Sequence, residues 1–141
     1  MAFKLIKGKV RWEWLPVTTS TALSADSAVE FTNGYLAAAD ADEEAVDIRG
    51  ILVKAIAATD ADYAVARSVA VQVPCERHTI WEATLDGVTA YVAATHRGTE
   101  VALADSTTLD LNEAGHDCFL VTGAGSSSST VYGHIQINGS Y

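Results

Sequence analysis

The sequence predicts an all-β domain, a small sandwich or barrel. Two observations predict it. Apolar residues alternate with polar ones in short pieces, and turn-forming residues recur at short intervals with β-branched runs between them. Both belong to strands that bury one face and reverse direction often.

Taken in order, Val10, Trp12 and Trp14 alternate with Lys9, Arg11 and Glu13, and Pro16 closes that strand. Val29 and Phe31 lead into Asn33-Gly34, a strong hairpin signal because both residues tolerate positive φ, and Tyr35 and Leu36 return. From Ile48 to Ile56 the chain is nearly continuously apolar, broken by Arg49 and Lys54, which suits a mostly buried strand. A helix over Leu36–Ala58 competes, since Ala37–Ala39 and Glu43-Glu44 are good helix formers, but Gly50 falls in its middle. One helical turn fits Asp60–Arg67, with Thr59 or Asp60 as its cap. Val69, Val71 and Val73 alternate with Ala70 and Gln72 and stop at Pro74. Trp81, Ala83 and Leu85 run to Asp86-Gly87, a second hairpin signal, with Val88–Ala94 returning. Cys118–Val121 and Val131–Ile137 form a last pair around a flexible tip, Gly123–Ser129. The expected core holds Ile51, Val53, Val69, Val71, Val73, Phe119, Val121, Ile135 and Ile137.

Charge divides the chain unevenly. Lys4, Lys7, Lys9 and Arg11 give residues 1–11 a charge of +4, against −13 for the rest and −9 overall. We therefore read residues 1–11 as a basic N-terminal arm that reaches to a neighbouring polypeptide, and 12–141 as the β domain. Phe3, Leu5 and Ile6 supply apolar anchors between the lysines, and Gly8 reads as a flexible joint. Trp12 and Trp14, on one face of the first strand, suit a core, a partner surface, or stacking on sugar or bases. The acidic body, with pI near 4.6, argues against a nucleic-acid partner, which needs a basic face. No apolar run has the length of a membrane span, and the first residues lack the pattern of a signal peptide, so a cytoplasmic site of synthesis is expected. There Cys75 and Cys118 are expected as free thiols.

No motif carries catalysis. Asp40, Asp42, Glu43, Glu44 and Asp47 are dense enough for a cation but lack the spacing of a calcium loop, so a solvated acidic loop is expected. Asp60, Asp62, Asp105 and Asp110 read as turn residues. His78, His96, His116 and His134 have no zinc spacing with one another or with the cysteines. His116-Asp117-Cys118 would place neighbouring side chains on opposite faces of a strand, and Ser126–Ser129 sit in a flexible tip. Expected, then, are no enzyme activity, no cofactor and no metal.

A series of segments carries a resemblance. Gly34-Tyr35-Leu36 is followed by Gly50-Ile51-Leu52-Val53, the loop Thr59-Asp60-Ala61-Asp62-Tyr63, and Ser68-Val69-Ala70-Val71-Gln72-Val73-Pro74. Gly98, Leu109-Asp110-Leu111 and a closing Val131–Ile137 strand complete it. In order and texture, over roughly residues 15–138, this is similar to the head decoration (capsid cement) proteins of tailed phages. The resemblance implies a β-tulip-like fold, a homotrimer, a place on the capsid exterior after assembly in the host cytoplasm, and the major capsid protein as partner. It places no binding residues, so the partner-binding set comes from the arm and the strand after it: Phe3, Lys4, Leu5, Ile6, Lys7, Lys9, Arg11, Trp12 and Trp14. Two alternatives stand beside it. One is a binding module that recognises carbohydrate or a host surface through aromatics such as Trp81, Tyr91 or Tyr132. The other is a small metal-dependent enzyme built on the His and acidic residues.

Overall fold

A computed structural model describes residues 2–41, 48–76, 78–113 and 118–137. Among them run eleven strands and one short helix. In chain order they are β1 (Phe3–Lys7), β2 (Val10–Val17), β3 (Ala28–Thr32), β4 (Tyr35–Ala38), β5 (Ile48–Leu52), β6 (Arg67–Pro74), β7 (Ile80–Thr84), α1 (Ala93–His96), β8 (Glu100–Asp105), β9 (Thr108–Asp110), β10 (Phe119–Ala124) and β11 (Thr130–Ile135). The all-β fold expected from the alternation is the observed one.

The strands divide into two sheets. β2-β4-β3-β5-β6 close into a barrel, and β1-β7-β11-β10-β8-β9 form an open six-stranded sheet. One apolar core joins them. Val29, Leu52, Val71 and Val73 of the barrel belong to the same buried cluster as Phe3, Trp81, Phe119, Val121 and Val131 of the sheet. Closing the barrel hides five strands' worth of backbone edges from water. Its longest ladder is β2 against β6, antiparallel from Val10↔Pro74 to Val17↔Arg67.

The Asn33-Gly34 hairpin forms as the sequence predicts. Both residues take positive φ, 54° and 85°, the signature of the type I′ turn whose twist suits two paired strands. β4 and β5 are strands, so the helix considered over Leu36–Ala58 is absent from 36–38 and 48–52; residues 42–47 lie outside the described residues. Seven of the nine expected core residues are buried, while Val53 and Val69 are half-buried at the barrel's surface. Cys75 is exposed and Cys118 buried, and neither is joined in a disulfide.

Four expectations are corrected. Residues 3–7 are not an arm lying on a neighbour. They form β1, which pairs antiparallel with β7 from Phe3↔Ala83 to Lys7↔Ile80. Phe3 is 2 % exposed, and its N–H donates to the Asp26 carbonyl at 3.0 Å. Burial of an aromatic ring outweighs the preference of the flanking lysines for water, because those lysines can extend outward from an edge strand. Gly8 is therefore no loose joint. It holds a φ of +111° in the turn from β1 to β2, where a Cβ would stand 2.8 Å from the Thr79 Cα.

Asp86-Gly87 likewise makes a turn but no hairpin. Gly87 has φ 85°, and Asp86 Oδ1 accepts the Val88 N–H at 3.0 Å. Beyond it Val88 is 79 % exposed, and the chain runs to α1 instead of returning beside β7. The positions beside β7 are already taken by β1 and β11. The stretch 60–67 makes turns rather than helix up to the start of β6. Asp60 caps no helix; its Oδ2 instead accepts the N–H of Ala57, three residues earlier, at 2.9 Å.

A candidate binding surface on the barrel

The site begins with the facing of β2. Residues directly opposite in an antiparallel ladder share a face. Arg11, Glu13 and Leu15 stand opposite Val73, Val71 and Val69, so they lie on the face that fully buried Val71 and Val73 turn to the core. Trp12 and Trp14 stand opposite Gln72 and Ala70, on the outer face, and are 56 % and 66 % exposed. The alternation is inverted: the strand turns a carboxylate inward and its two largest apolar side chains outward.

The inward Glu13 is compensated from across the barrel. Arg49 is the extra residue of a β-bulge, since Val29 pairs with Gly50 and Glu30 with Ile48. Bulges redirect side chains. Here the Arg49 guanidinium grips Glu13 bidentately, Nε to Oε1 at 2.9 Å and Nη2 to Oε2 at 2.5 Å. With both side chains about a quarter exposed, the pair satisfies its charges without leaving either unpartnered.

Outside, Trp12 and Trp14 wall an open groove of about 470 Å³. Its other sides come from the 53–62 loop, including Lys54, Ile56, Asp60 and Asp62, and from Arg67–Ala70 at the start of β6. Arg67 organises that side. Its Nη1 lies 2.9 Å from Asp62 Oδ1 and donates to the Asp62 carbonyl, and its Nη2 lies 3.7 Å from Asp60 Oδ2. The loop is tied down further by Tyr63, whose hydroxyl donates to the Ser20 carbonyl at 2.8 Å while Ser20 N–H donates back to the Tyr63 carbonyl at 2.9 Å. Asp60 and Asp62 thus hold a turn, as the sequence predicts, and the arginine joins that turn to the groove wall.

A second surface carries the basic residues. Lys4, Lys7 and Lys9 are exposed along β1 and the turn after it, with Ile6 exposed among them, while Arg11, also exposed, shares the Glu13 face and lies 3.5 Å from the Glu13 carboxylate. Phe3 is buried in the core and Leu5 is half-buried against it. Of the nine residues expected to bind a partner, Lys4, Ile6, Lys7, Lys9 and Arg11 are exposed in or beside β1 and the start of β2, a basic border in sequence, and Trp12 and Trp14 line the groove.

The remaining candidates lie apart from the groove or outside the described residues. His96 is buried, its Nδ1 accepting the Val92 N–H at 2.8 Å. His134 Nδ1 lies 3.0 Å from the Thr79 carbonyl, and the exposed His78 ring meets it edge-on at 6.0 Å. His116, with Asp42, Glu43, Glu44 and Asp47, lies outside the described residues. Among the described residues no three His, Cys, Asp or Glu side chains come together as metal ligands, and no helix is long and apolar enough to cross a membrane. Burial raises the Asp105 carboxyl, but hydrogen bonds from the N–H and hydroxyl groups of Thr107 and Thr108 outweigh it and hold the pKa below the ordinary carboxylate value. Glu82 is lowered chiefly by hydrogen bonds from Ser126, with Thr130 and the charge of Lys4 adding to them against a desolvation penalty. It fastens the Ser-rich tip to β7.

The aromatics expected for a sugar platform do not form one. Trp81 is completely buried with its Nε1 unpartnered, Tyr91 packs on the core with its hydroxyl likewise unpartnered, and Tyr132 is half-buried. The exposed pair, Trp12 and Trp14, was visible in the sequence as a same-face doublet; its outward direction was not. Compared with known protein families and with curated proteins, the chain finds no match.

Proposed function

We propose that this chain is a non-enzymatic structural protein of a tailed-phage head, bound to the capsid exterior, where it ties neighbouring copies of the major capsid protein together. The observation that carries the reading is the basic border. Four exposed cations, of which Arg11 pairs with Glu13, and the exposed Ile6 follow one another along β1 and the start of β2, in a chain whose other residues sum to −13. Rim charges of one sign steer docking onto a surface of the other. The resemblance of the segments between residues 15 and 138 to capsid cement proteins names that surface. A rigid all-β body and many weak contacts repeated over a lattice suit such a role, because avidity multiplies them. Self-association as a homotrimer belongs to the same reading, since symmetric copies match a symmetric lattice.

The test uses heads of the encoding phage that lack this protein. The purified chain should saturate them, and binding should weaken with salt. Reversing Lys4, Lys7 and Lys9 to Glu together should abolish attachment while circular dichroism stays unchanged. Light scattering should give a trimer in solution or on heads. Attachment indifferent to both the triple substitution and salt would sink the reading, as would isolated single copies on particles.

A further inference from the structure

We propose that the groove walled by Trp12 and Trp14 binds an uncharged oligosaccharide. The site is separate from the basic border, so the proposal stands or falls independently of capsid attachment.

Three features point to that ligand. The first is the aromatic pair. Trp12 and Trp14 are two residues apart on one strand face, which spaces them by about 6.6 Å along the chain. Exposed rings in file offer successive apolar faces to the C–H faces of successive sugar rings. Displaying them outward while Glu13 is turned inward and neutralised by Arg49 is a costly arrangement for a strand with no ligand on that side.

The second is charge. The groove's ionisable wall residues are Lys54 and Arg67 against Asp60 and Asp62, which cancel. In a chain of net charge −9 this is a locally balanced site. It has no excess positive charge for a polyanion and no excess negative charge for a basic peptide. A neutral polyol instead needs planar donors and acceptors close to the stacking faces. The Arg67 guanidinium, fixed by Asp60 and Asp62, supplies donors, and the carboxylates supply acceptors.

The third is shape and rigidity. About 470 Å³ lies within the roughly 300–1,000 Å³ usual for small-ligand sites, and the groove is open enough for a chain to run through it. Its walls are a strand ladder and a loop pinned by the Ser20–Tyr63 bonds, so little ordering is left for the ligand to bring about.

The experiment titrates the full chain with cellotriose, maltotriose, triacetylchitotriose and mannotriose, following tryptophan fluorescence and calorimetry. Sialyllactose and a proline-rich decapeptide are the comparisons. At least one neutral trisaccharide should bind saturably, with little salt dependence. Trp12→Ala and Trp14→Ala should each weaken it about tenfold or more, as central aromatic contacts do. Amide NMR shifts on titration should concentrate at residues 53–56 and 67–70, a readout that needs no variant. Absence of saturation with all four sugars overturns the proposal. So does undiminished binding by both Trp variants, or binding of the peptide alone. Loss of head attachment in the Trp variants, with no sugar bound by the wild type, would make the pair a protein contact instead.

Discussion

Replacing Phe3 with Ala should destabilise the protein by about 3–5 kcal/mol, the range for removing a buried aromatic ring. The ring is 2 % exposed, lies 6.4 Å from Phe119, and its backbone is tied to both β7 and Asp26. An area argument gives the same size. A Phe ring buries about 150–250 Å², worth about 4–6 kcal/mol at 25 cal/mol per Å², an upper bound because the unfolded chain already hides some of it. Domains are stable by only about 5–15 kcal/mol, so one substitution removes a large share. In a chain of this length that is about 10–15 °C in melting temperature. Urea unfolding followed by the emission of buried Trp81 measures it, with Lys4→Ala as a control expected within about 0.5 kcal/mol of wild type. A Phe3→Ala protein with an unchanged urea midpoint would show that residues 3–7 are dispensable to the fold, and β1 would then be an appended arm after all.

Gly8→Ala should cost stability on two counts, a side chain at φ +111° and a Cβ 2.8 Å from the Thr79 backbone; unfolding midpoints no lower than wild type would refute the tight-turn reading. Glu13→Gln should cost about 1.5–3 kcal/mol by leaving Arg49 without its ionic partner, and Arg49→Met in the same chain should recover part of the loss in a double-mutant cycle. The lowered pKa values of Asp105 and Glu82 mean that the folded state prefers both carboxylates ionised. Their contribution is complete above the ordinary carboxylate range and disappears as pH falls through the lowered values. Asp105→Asn should therefore reduce the melting temperature near neutrality and flatten its decline in acid; an unaltered acid profile would show that the turn does not depend on the charge.

Much of the fold is legible in the sequence where the deciding forces are local. Asn33-Gly34 specifies its own turn, because few other residues accept two consecutive positive φ angles. Val69, Val71 and Val73 declare a face by alternation alone. The failures fall where a distant partner decides. Strand β2 offers two readable faces, and its sequence leaves open whether the apolar one, with Val10, Trp12 and Trp14, turns to a core or outward. It turns outward because Arg49, delivered by a bulge in β5, makes the Glu13 face tolerable inside. Nothing near residue 13 announces that. Asp86-Gly87 encodes a turn, but whether a hairpin follows depends on who already occupies β7's edges. Gly8 looks like a hinge by composition, and only the approach of Thr79 shows it to be a point of close packing. For the groove, the Trp doublet was readable, whereas the Arg67 bracket opposite required the loop's three-dimensional path.

The pairing of the earliest strands sets an order of events during synthesis. β1 needs β7, so Phe3 waits for Ala83 to leave the ribosome, and Val10 waits for Pro74. Among the first four strands, β3 and β4 form the local hairpin that can close as soon as it emerges, while β1 and β2 wait for β7 and β6. Until then the leading seventeen residues travel with two unpaired strands and two tryptophans available to any neighbour, the condition under which β proteins are most prone to non-productive pairing. Four positive charges within that leader keep nascent copies apart, and the acidic segments that follow would draw it back toward its own chain. The basic border would then act as a temporary guard of the growing polypeptide before it meets any partner.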